Sequence, residues 1–252
     1  MLVADYEDKK DLTFFTNEEG QKLEDRFKRT LKDVKYFDIL VGYFRTSGFY
    51  KLYKDFENIE KIRILVGLNA DKKAVETIQT AKQMPINFES HTNAKEISSE
   101  TFVEEVYASD DNYDVEHGIY KFIEYLRSGK LEIKAYPSYN IHAKVYISRF
   151  KEDDRDFGRV ITGSSNFSES GLNSQYEFNV ELKNAADVKY ALNKFEELWE
   201  NAVDLSDVYI DTIREKTWLN DTITPYELYL KFLYEYFKEN LRKKDALDIQ
   251  LP

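Results

Sequence analysis

The chain has 252 residues and a formal net charge of −11, from 36 Lys and Arg against 47 Asp and Glu. This acidic balance excludes a protein that coats nucleic acid or an anionic membrane by its overall charge, and it leaves room only for a local basic site. The absence of Cys excludes disulfides, thiolate nucleophiles, iron–sulfur clusters and cysteine-ligated zinc. With only three His as well, we expect no metal ion and no other cofactor.

No segment of the sequence suggests a membrane. The N-terminus lacks an apolar stretch of signal-peptide length, and no run approaches the roughly 20 apolar residues of a membrane span. We therefore expect a soluble, cytoplasmic protein with no membrane partner.

The first part of the chain predicts a parallel unit of strand, helix and strand. Thr16 and Glu19 have the spacing of a capping box, which predicts an amphipathic helix over 17–35. Its basic face, from Lys22 to Lys35, is more typical of a solvated surface than of a binding site. Buried strands are predicted over 36–44 and 61–67, with a helix over 46–57 between them.

The rest of the chain continues the alternation of strands and helices. Eight acidic residues and no basic one lie between Glu96 and Glu116, and this segment is expected to face away from any phosphate path. A second capping box at 224–227 predicts a further helix. The predicted fold is α/β, a mixed and mostly parallel β-sheet flanked by helices, with a C-terminal helical extension. Strands are predicted over 131–136, 141–149, 159–162 and 176–182, a helix over 187–202, and domains over 1–202 and 203–252.

Of the three histidines, only His142 has chemically suggestive neighbours. Strand alternation predicts that His142, Lys144 and Tyr146 share the polar face of a half-buried strand, with Val145 and Ile147 on the core side. An imidazole and an ammonium would then be neighbours. Taken alone, this spacing is weak, because a His and a Lys two positions apart occur by chance in roughly a third of chains of this composition.

Two further elements lie at defined distances along the chain. The segment from Gly163 through Ser164, Ser165 and Asn166 comes directly after an apolar strand and offers hydroxyl, amide and backbone N–H donors for phosphate oxygens. Its alternative interpretation is a polar turn that caps a short helix. Glu177 lies in a strand among aromatic and apolar residues, where a carboxylate needs a partner such as an imidazole; a solvated carboxylate is an equally good interpretation of Glu177 alone.

Together, these residues resemble the phospholipase D superfamily, and specifically its nuclease branch. The resemblance rests on His142-x-Lys144, on Gly163-Ser164-x-Asn166 and on Glu177, in this order, and it covers roughly residues 12–200. The segment around 224–229 resembles the stretch that joins such a domain to the motor in large bacterial helicases. This suggests that the chain is the N-terminal part of a helicase whose motor domain lies beyond it.

The resemblance implies a metal-independent phosphodiesterase that acts on nucleic acid, with DNA as the expected substrate. The family reaction needs two copies of the motif, and this chain has one, so a homodimer is implied. His142 of one subunit would form a phosphohistidine while the partner's His142 acts as acid and base. Lys144 and Asn166 would hold phosphate oxygens, Glu177 would orient an imidazole, and no metal is required.

The sequence departs from the family at Arg149, which stands where the full motif has Asp. This departure keeps open a second function, a catalytically degenerate module that binds DNA or dimerises within a helicase. A lipid-cleaving enzyme is a third interpretation, with less support because only one motif copy is present. Besides Gly163, Ser164 and Ser165, the candidate substrate contacts are Arg149 and Lys151, which lie at and beyond the end of the motif strand.

Overall fold

The computed structural model describes residues 13–42, 44–67, 113–136, 141–151, 156–207, 209–211, 233 and 237. The chain divides into two compact units, Met1–Ile210 and Asp211–Pro252. No helix among the described residues is long and apolar enough to cross a membrane. The predicted capping box at 224–227 and residues 96–112 of the acidic segment lie outside the described residues, while Leu233 and Phe237 are helical.

The first unit alternates strands and helices in chain order. Two short 3₁₀ helices, at Leu31–Asp33 and Tyr53–Phe56, extend the first and second α-helices. The elements are β1 (Phe14–Thr16), α1 (Leu23–Thr30), β2 (Tyr36–Val41), α2 (Thr46–Leu52), β3 (Lys61–Gly67), α3 (Tyr113–Arg127), β4 (Leu131–Tyr136), β5 (Lys144–Arg149), β6 (Gly158–Gly163), α4 (Glu169–Asn173), β7 (Phe178–Leu182), α5 (Ala185–Glu200) and β8 (Val203–Asp204).

The strands form one eight-stranded sheet in the order β1-β7-β6-β5-β2-β3-β4-β8. The α/β class and the flanking helices are confirmed, but the expectation of a mostly parallel sheet is wrong. Among the described strands only the β2–β3 and β3–β4 pairs are parallel, and the other five pairs are antiparallel. Parallel neighbours need a crossover of a dozen or more residues, whereas β5 and β6 are joined by residues 150–157 alone.

One face of the sheet packs against α5. Leu40 of β2, Leu65 of β3 and Ile147 of β5 form a buried cluster with Phe195 and Trp199 of α5. Trp199 and Phe195 stack with their ring centroids 5.4 Å apart. Helix α5 begins and ends two residues before the predicted 187–202. Asn184 caps its start, because its side-chain oxygen accepts a hydrogen bond from the Ala186 N–H at 2.8 Å.

The opposite face packs against the other helices through aromatic rings. Phe27 of α1 contacts Phe37 of β2 and Tyr146 of β5, with centroid distances of 5.5 and 5.1 Å. Phe49 of α2 contacts Phe122 of α3 edge to face at 5.1 Å. Because both faces are covered, the central strands are buried on both sides, which agrees with their nearly continuous apolar sequences.

The predicted start of the first helix is wrong. Thr16 ends strand β1 and pairs with Phe178, and its hydroxyl donates to the Glu18 carboxylate at 2.8 Å. Helix α1 begins only at Leu23, whose N–H donates to the Asn17 side-chain oxygen at 2.9 Å. Pairing in the sheet satisfies the Thr16 backbone and thus removes it from the cap position that its spacing to Glu19 predicted.

Candidate active site

The sequence-predicted catalytic residues lie at one end of the sheet. Val41, the last residue of β2, pairs with Lys144, the first residue of β5. Gly163, the last residue of β6, pairs with Asn179 near the start of β7. Because β2 and β6 end where β5 and β7 begin, His142, Asn166 and Glu177 all come from segments at this end.

Two glycines allow the segment that carries His142 to lie close against the strand ends. A Cβ on Gly67 would lie 2.4 Å from the Ile141 carbonyl oxygen, and a Cβ on Gly42 would lie 2.7 Å from the same oxygen. The Gly42 Cβ would also lie 3.2 Å from the His142 Cα. The Gly42 N–H donates to the Ala143 carbonyl at 3.0 Å. Any side chain at either position would push His142 out of its place.

Lys144 and His142 are in direct contact. The Lys144 Nζ lies 3.2 Å from Nδ1 and 3.1 Å from Nε2 of the imidazole, and it donates to the His142 carbonyl at 3.2 Å. The imidazole is exposed, whereas Lys144 is only 7% exposed. The two nitrogen distances are nearly equal, which places the ammonium over the imidazole ring. A cation therefore lies beside the exposed histidine, where it could attract a phosphate.

The strand environment differs from the expected half-buried one. His142 precedes β5, and Tyr146 and Ile147, on opposite faces of this strand, are both fully buried. Burial and the nearby Glu177 carboxylate raise the pKa of Tyr146, so its hydroxyl keeps its proton and donates to the Ser165 carbonyl at 2.8 Å. Lys144 and Tyr146 are therefore buried on this face, whereas His142, just before the strand, is exposed.

Glu177 is a buried carboxylate close to the site. It is 8% exposed and precedes the first residue of β7. Burial lowers the pKa of Lys144 below its usual value, and the charge of Glu177 partly offsets this effect. Within the described part of the chain, Glu177 makes no hydrogen bond to His142, so its predicted role in orienting an imidazole stays a prediction.

The loop after β6 is fixed by a small buried network. Ser165 is fully buried, and its hydroxyl accepts from the Asn179 side-chain amide at 2.9 Å. Ser164 is exposed, and its hydroxyl and N–H bond to the Phe178 backbone at 3.0 and 3.1 Å. A Cβ on Gly163 would lie 2.3 Å from the Phe178 carbonyl oxygen. The loop thus presents Ser164 to solvent, while Ser165 faces the core and holds the loop in place.

Asn166 lies between this loop and α4. Its Oδ1 is buried and has no hydrogen-bond partner among the described residues. Gly171 in α4 lets the chain pass closely, since a Cβ there would lie 2.3 Å from the Asn166 carbonyl oxygen. The next residue, Phe167, stacks on Phe44 with centroids 5.8 Å apart, and its carbonyl accepts from the Arg45 N–H at 3.1 Å. These contacts fix the backbone on both sides of Asn166.

Arg149 and Lys151 are not brought to this end of the sheet. Arg149 ends β5 at the far end from Lys144, where its guanidinium contacts the Asp38 carboxylate at 3.0 and 3.1 Å. Lys151 lies just beyond that far end and is exposed. Arg149 therefore contributes to packing in this chain, and the predicted substrate contacts of both residues would require a ligand that extends along the strand.

Asp38 is the centre of a charge network that the sequence did not reveal. It is 1% exposed and binds Arg63 at 2.5 Å as well as Arg149. Arg63 in turn binds Glu196 of α5 at 2.7 and 2.9 Å. Burial alone would lower the pKa of Arg63, but the hydrogen bonds that its guanidinium donates to Glu196 and Asp38 outweigh this effect and raise it. The carboxylate beside Arg149 thus belongs to the neighbouring strand β2.

Gly42 and Gly67 were also missed as site residues, although the sequence carried a signal for them. The tetrapeptide Ile-Leu-Val-Gly occurs twice, at 39–42 and at 64–67. Gly67 ends β3 and Gly42 directly follows β2. Glycines at the ends of two neighbouring parallel strands predict that another segment crosses them closely. That segment is the one that carries His142.

A family model described as "Cardiolipin synthase, PLD-like domain" matches residues 27–199. This range includes every one of the motif residues described above. The chain belongs to the phospholipase D-like family. Members of this family are phosphodiesterases and nucleases. No curated protein matches the chain in sequence.

Solved structures of the phospholipase D-like fold are similar to the chain. Nuc from Salmonella typhimurium, a phospholipase D family member, is 13% identical over 76% of this chain and 95% of its own, with a TM-score of 0.43. NucT from Helicobacter pylori is 13% identical over 76% and 96%, with a TM-score of 0.40. A phosphatidylserine synthase from Haemophilus influenzae Rd KW20 is 13% identical over 92% and 46%, with a TM-score of 0.46.

Proposed function

We propose that the chain is a metal-independent phosphodiesterase that cleaves nucleic acid through a phosphohistidine intermediate. DNA is the expected substrate. The observation that carries this proposal is the contact of Lys144 Nζ with both ring nitrogens of the exposed His142, at 3.2 and 3.1 Å. A nucleophile must be unprotonated and accessible, and a cation beside it favours the arrival of a phosphate.

The reaction needs a second histidine, which we assign to a second copy of the chain in a homodimer. A nitrogen of His142 attacks phosphorus and forms a P–N bond, while the bond from phosphorus to the leaving oxygen breaks. The partner's His142, as an imidazolium, gives its proton to that oxygen. It then takes a proton from water, the resulting hydroxide attacks phosphorus, and the P–N bond breaks to restore the first imidazole.

The remaining site residues stabilise the charge that develops on the phosphate. Lys144 holds a non-bridging oxygen with its ammonium, and Asn166 offers its side-chain amide to another. Gly163 and Ser164 are exposed in the loop after β6, and we assign them to contacts with the substrate. Tyr146 and Asn179 act indirectly, because their hydrogen bonds to Ser165 fix the loop that carries these groups.

A degenerate binding or dimerisation module is the second candidate, and Arg149 in place of the motif Asp is the observation that favours it. The position of Arg149 weakens this argument. It lies at the far end of β5, paired with Asp38, so the replacement removes no group from the space beside His142. We further propose that the chain is part of a helicase, with residues 203–252 leading towards the motor domain.

The experiment is cleavage of a labelled oligonucleotide and of a small phosphodiester in the presence of EDTA. Wild type is compared with His142→Ala and with His117→Ala, which removes a histidine packed 5.6 Å from the Tyr53 ring instead. We expect wild type and His117→Ala to cleave and His142→Ala to be inactive, with an acid-labile phosphate bound to the protein during turnover. Activity lost in EDTA and restored by magnesium would contradict this chemistry. Binding without cleavage in all three proteins would favour the degenerate module.

A further inference from the structure

A polar cavity lies away from His142, beside the end of α1. It has a volume of about 210 Å³ and lies between the last turn of α1, the start of β6 and the end of β7. Six charged side chains border it: Arg26, Arg29, Arg159, Lys183, Asp33 and Glu181. Four positive charges against two negative charges make the cavity cationic in a chain whose net charge is −11.

A buried ion pair forms the floor of this cavity. Arg26 is 4% exposed, and its guanidinium lies 2.9 Å from Glu181 Oε2 and 4.4 Å from the centre of the Phe15 ring. The other oxygen of Glu181 lies 3.9 Å from Arg159 Nε. One buried carboxylate is therefore shared by two guanidinium groups, so its charge cannot compensate both of them.

The cations at the rim are more exposed than Arg26. Arg29 and Lys183 are exposed, and the side chain of Arg159 is 22% exposed. The carboxylate contacts of Arg159, with Asp156 at 3.4 Å and with Glu181 at 3.9 Å, are both long. The planar guanidinium group of Arg159, whose carboxylate contacts are long, suits the oxygens of a phosphate group. Arg29 of α1, Arg159 of β6 and Lys183 just after β7 converge on one concave site. The side chains of a merely solvated basic helix would not be expected to do so.

We propose that this cavity binds a backbone phosphate of the nucleic acid whose cleavage is proposed at His142, and this inference rests on that proposed function. Arg159 pairs with Ser148, four residues along β5 from Lys144, which is about 13 Å of extended strand. At the 3.4 Å per nucleotide of a strand stacked as in a duplex, this distance corresponds to about four nucleotides, and an extended strand would cover it with fewer. The cavity thus holds the substrate at a second point, up to about four phosphates from the scissile one.

The test measures how salt weakens the binding of labelled single-stranded DNA to the full chain, in whichever oligomeric state it adopts. Arg159→Gln and Lys183→Gln are compared with wild type and with Lys194→Gln, which removes an exposed lysine of α5 paired with Glu197. Each lost phosphate contact should reduce the slope of log K against log salt by about 0.7 for a single strand. We expect this reduction in the first two variants and an unchanged slope in the Lys194 variant.

Two further measurements vary the length of the DNA strand and test the binding of inorganic phosphate. The slope difference should be present for strands of about eight nucleotides and absent for dinucleotides, which are too short to reach both sites. Lys183 is exposed, so its variant keeps the test informative even if the Arg159 variant does not fold. Equal slopes for all variants would overturn the inference, as would inorganic phosphate binding in the cavity without any effect of the variants on strand binding.

The outcomes separate this inference from the proposed function. A wild-type protein that binds strands with the expected slope differences but cleaves nothing supports the cavity and contradicts the catalysis. Cleavage at His142 with identical slopes in all variants supports the catalysis and contradicts the cavity.

Discussion

Replacing Gly67 by Ala places a methyl group where the Ile141 carbonyl oxygen now lies. The added Cβ would be 2.4 Å from that oxygen, and ordinary contact begins at 3.4 Å, so the segment must move by about 1 Å. Ile141 directly precedes His142, and the movement is therefore transmitted to the imidazole. A misplacement of about 1 Å can lower a rate by about 10²-fold, and we expect a loss of this size in kcat. Gly42→Ala, with its Cβ 2.7 Å from the same oxygen, should act in the same direction.

The assay is turnover of a small chromogenic phosphodiester, with thermal unfolding measured in parallel. Gly129→Ala is the matched control, since Gly129 has a φ of 71° but no atom within 4 Å of its added Cβ. This control should lose about 1 kcal/mol of stability from backbone strain and keep its turnover at temperatures where it is folded. Wild-type turnover in Gly67→Ala and Gly42→Ala would refute the view that these glycines position His142.

Four further predictions concern the site and its surroundings. Glu177→Gln removes the charge that raises the pKa of Lys144 against the effect of burial, so the alkaline limb of the pH profile of kcat should move to lower pH; an unmoved limb would mean that it does not report Lys144. Lys144→Ala and Asn166→Ala should each lower kcat by about 10²-fold through lost oxyanion contacts, and wild-type rates would show that they are misassigned. Arg149→Ala should lower the free energy of unfolding by about 1–3 kcal/mol with little change in kcat. Arg149→Asp should lower the free energy of unfolding further, because the new carboxylate would face the buried Asp38. Chemical denaturation and kinetics of both variants check this prediction. Light scattering should show a homodimer, and a monomer at high concentration would contradict the shared active site.

Much of the local structure could be predicted from the sequence. The strands over 61–67 and 131–136 lie where the buried apolar patterns placed them, and helices near 46–57 and 187–202 are present. These elements have local signals, because their side-chain periodicity alone determines which faces become buried. The site motif could be predicted for a similar reason, since His142 and Lys144 are close in sequence and their contact is local.

The features that were missed depend on distant parts of the chain. Thr16 has the spacing of a capping residue, but its pairing with Phe178 competes with that role and prevails. Asp38, Arg149 and Arg63 lie on three different strands, so their network exists only once the strand order is known. The antiparallel pairing of β5, β6 and β7 was not predicted. The parallel arrangement expected for the first two long strands had been assumed for the whole sheet.

The buried ion pair between Arg26 of α1 and Glu181 of β7 has a consequence for the order of events during synthesis. Arg26 and Glu181 are 155 residues apart, and both are almost completely buried. At about 5–20 residues per second, the ribosome releases Glu181 about 8–30 s after Arg26. Until then, α1 carries a cation that cannot be buried without its partner, so the helix cannot dock in its final position. Ribosome-bound chains arrested before β7 should therefore be cut by protease within α1, whereas chains that extend beyond α5 should resist cleavage there.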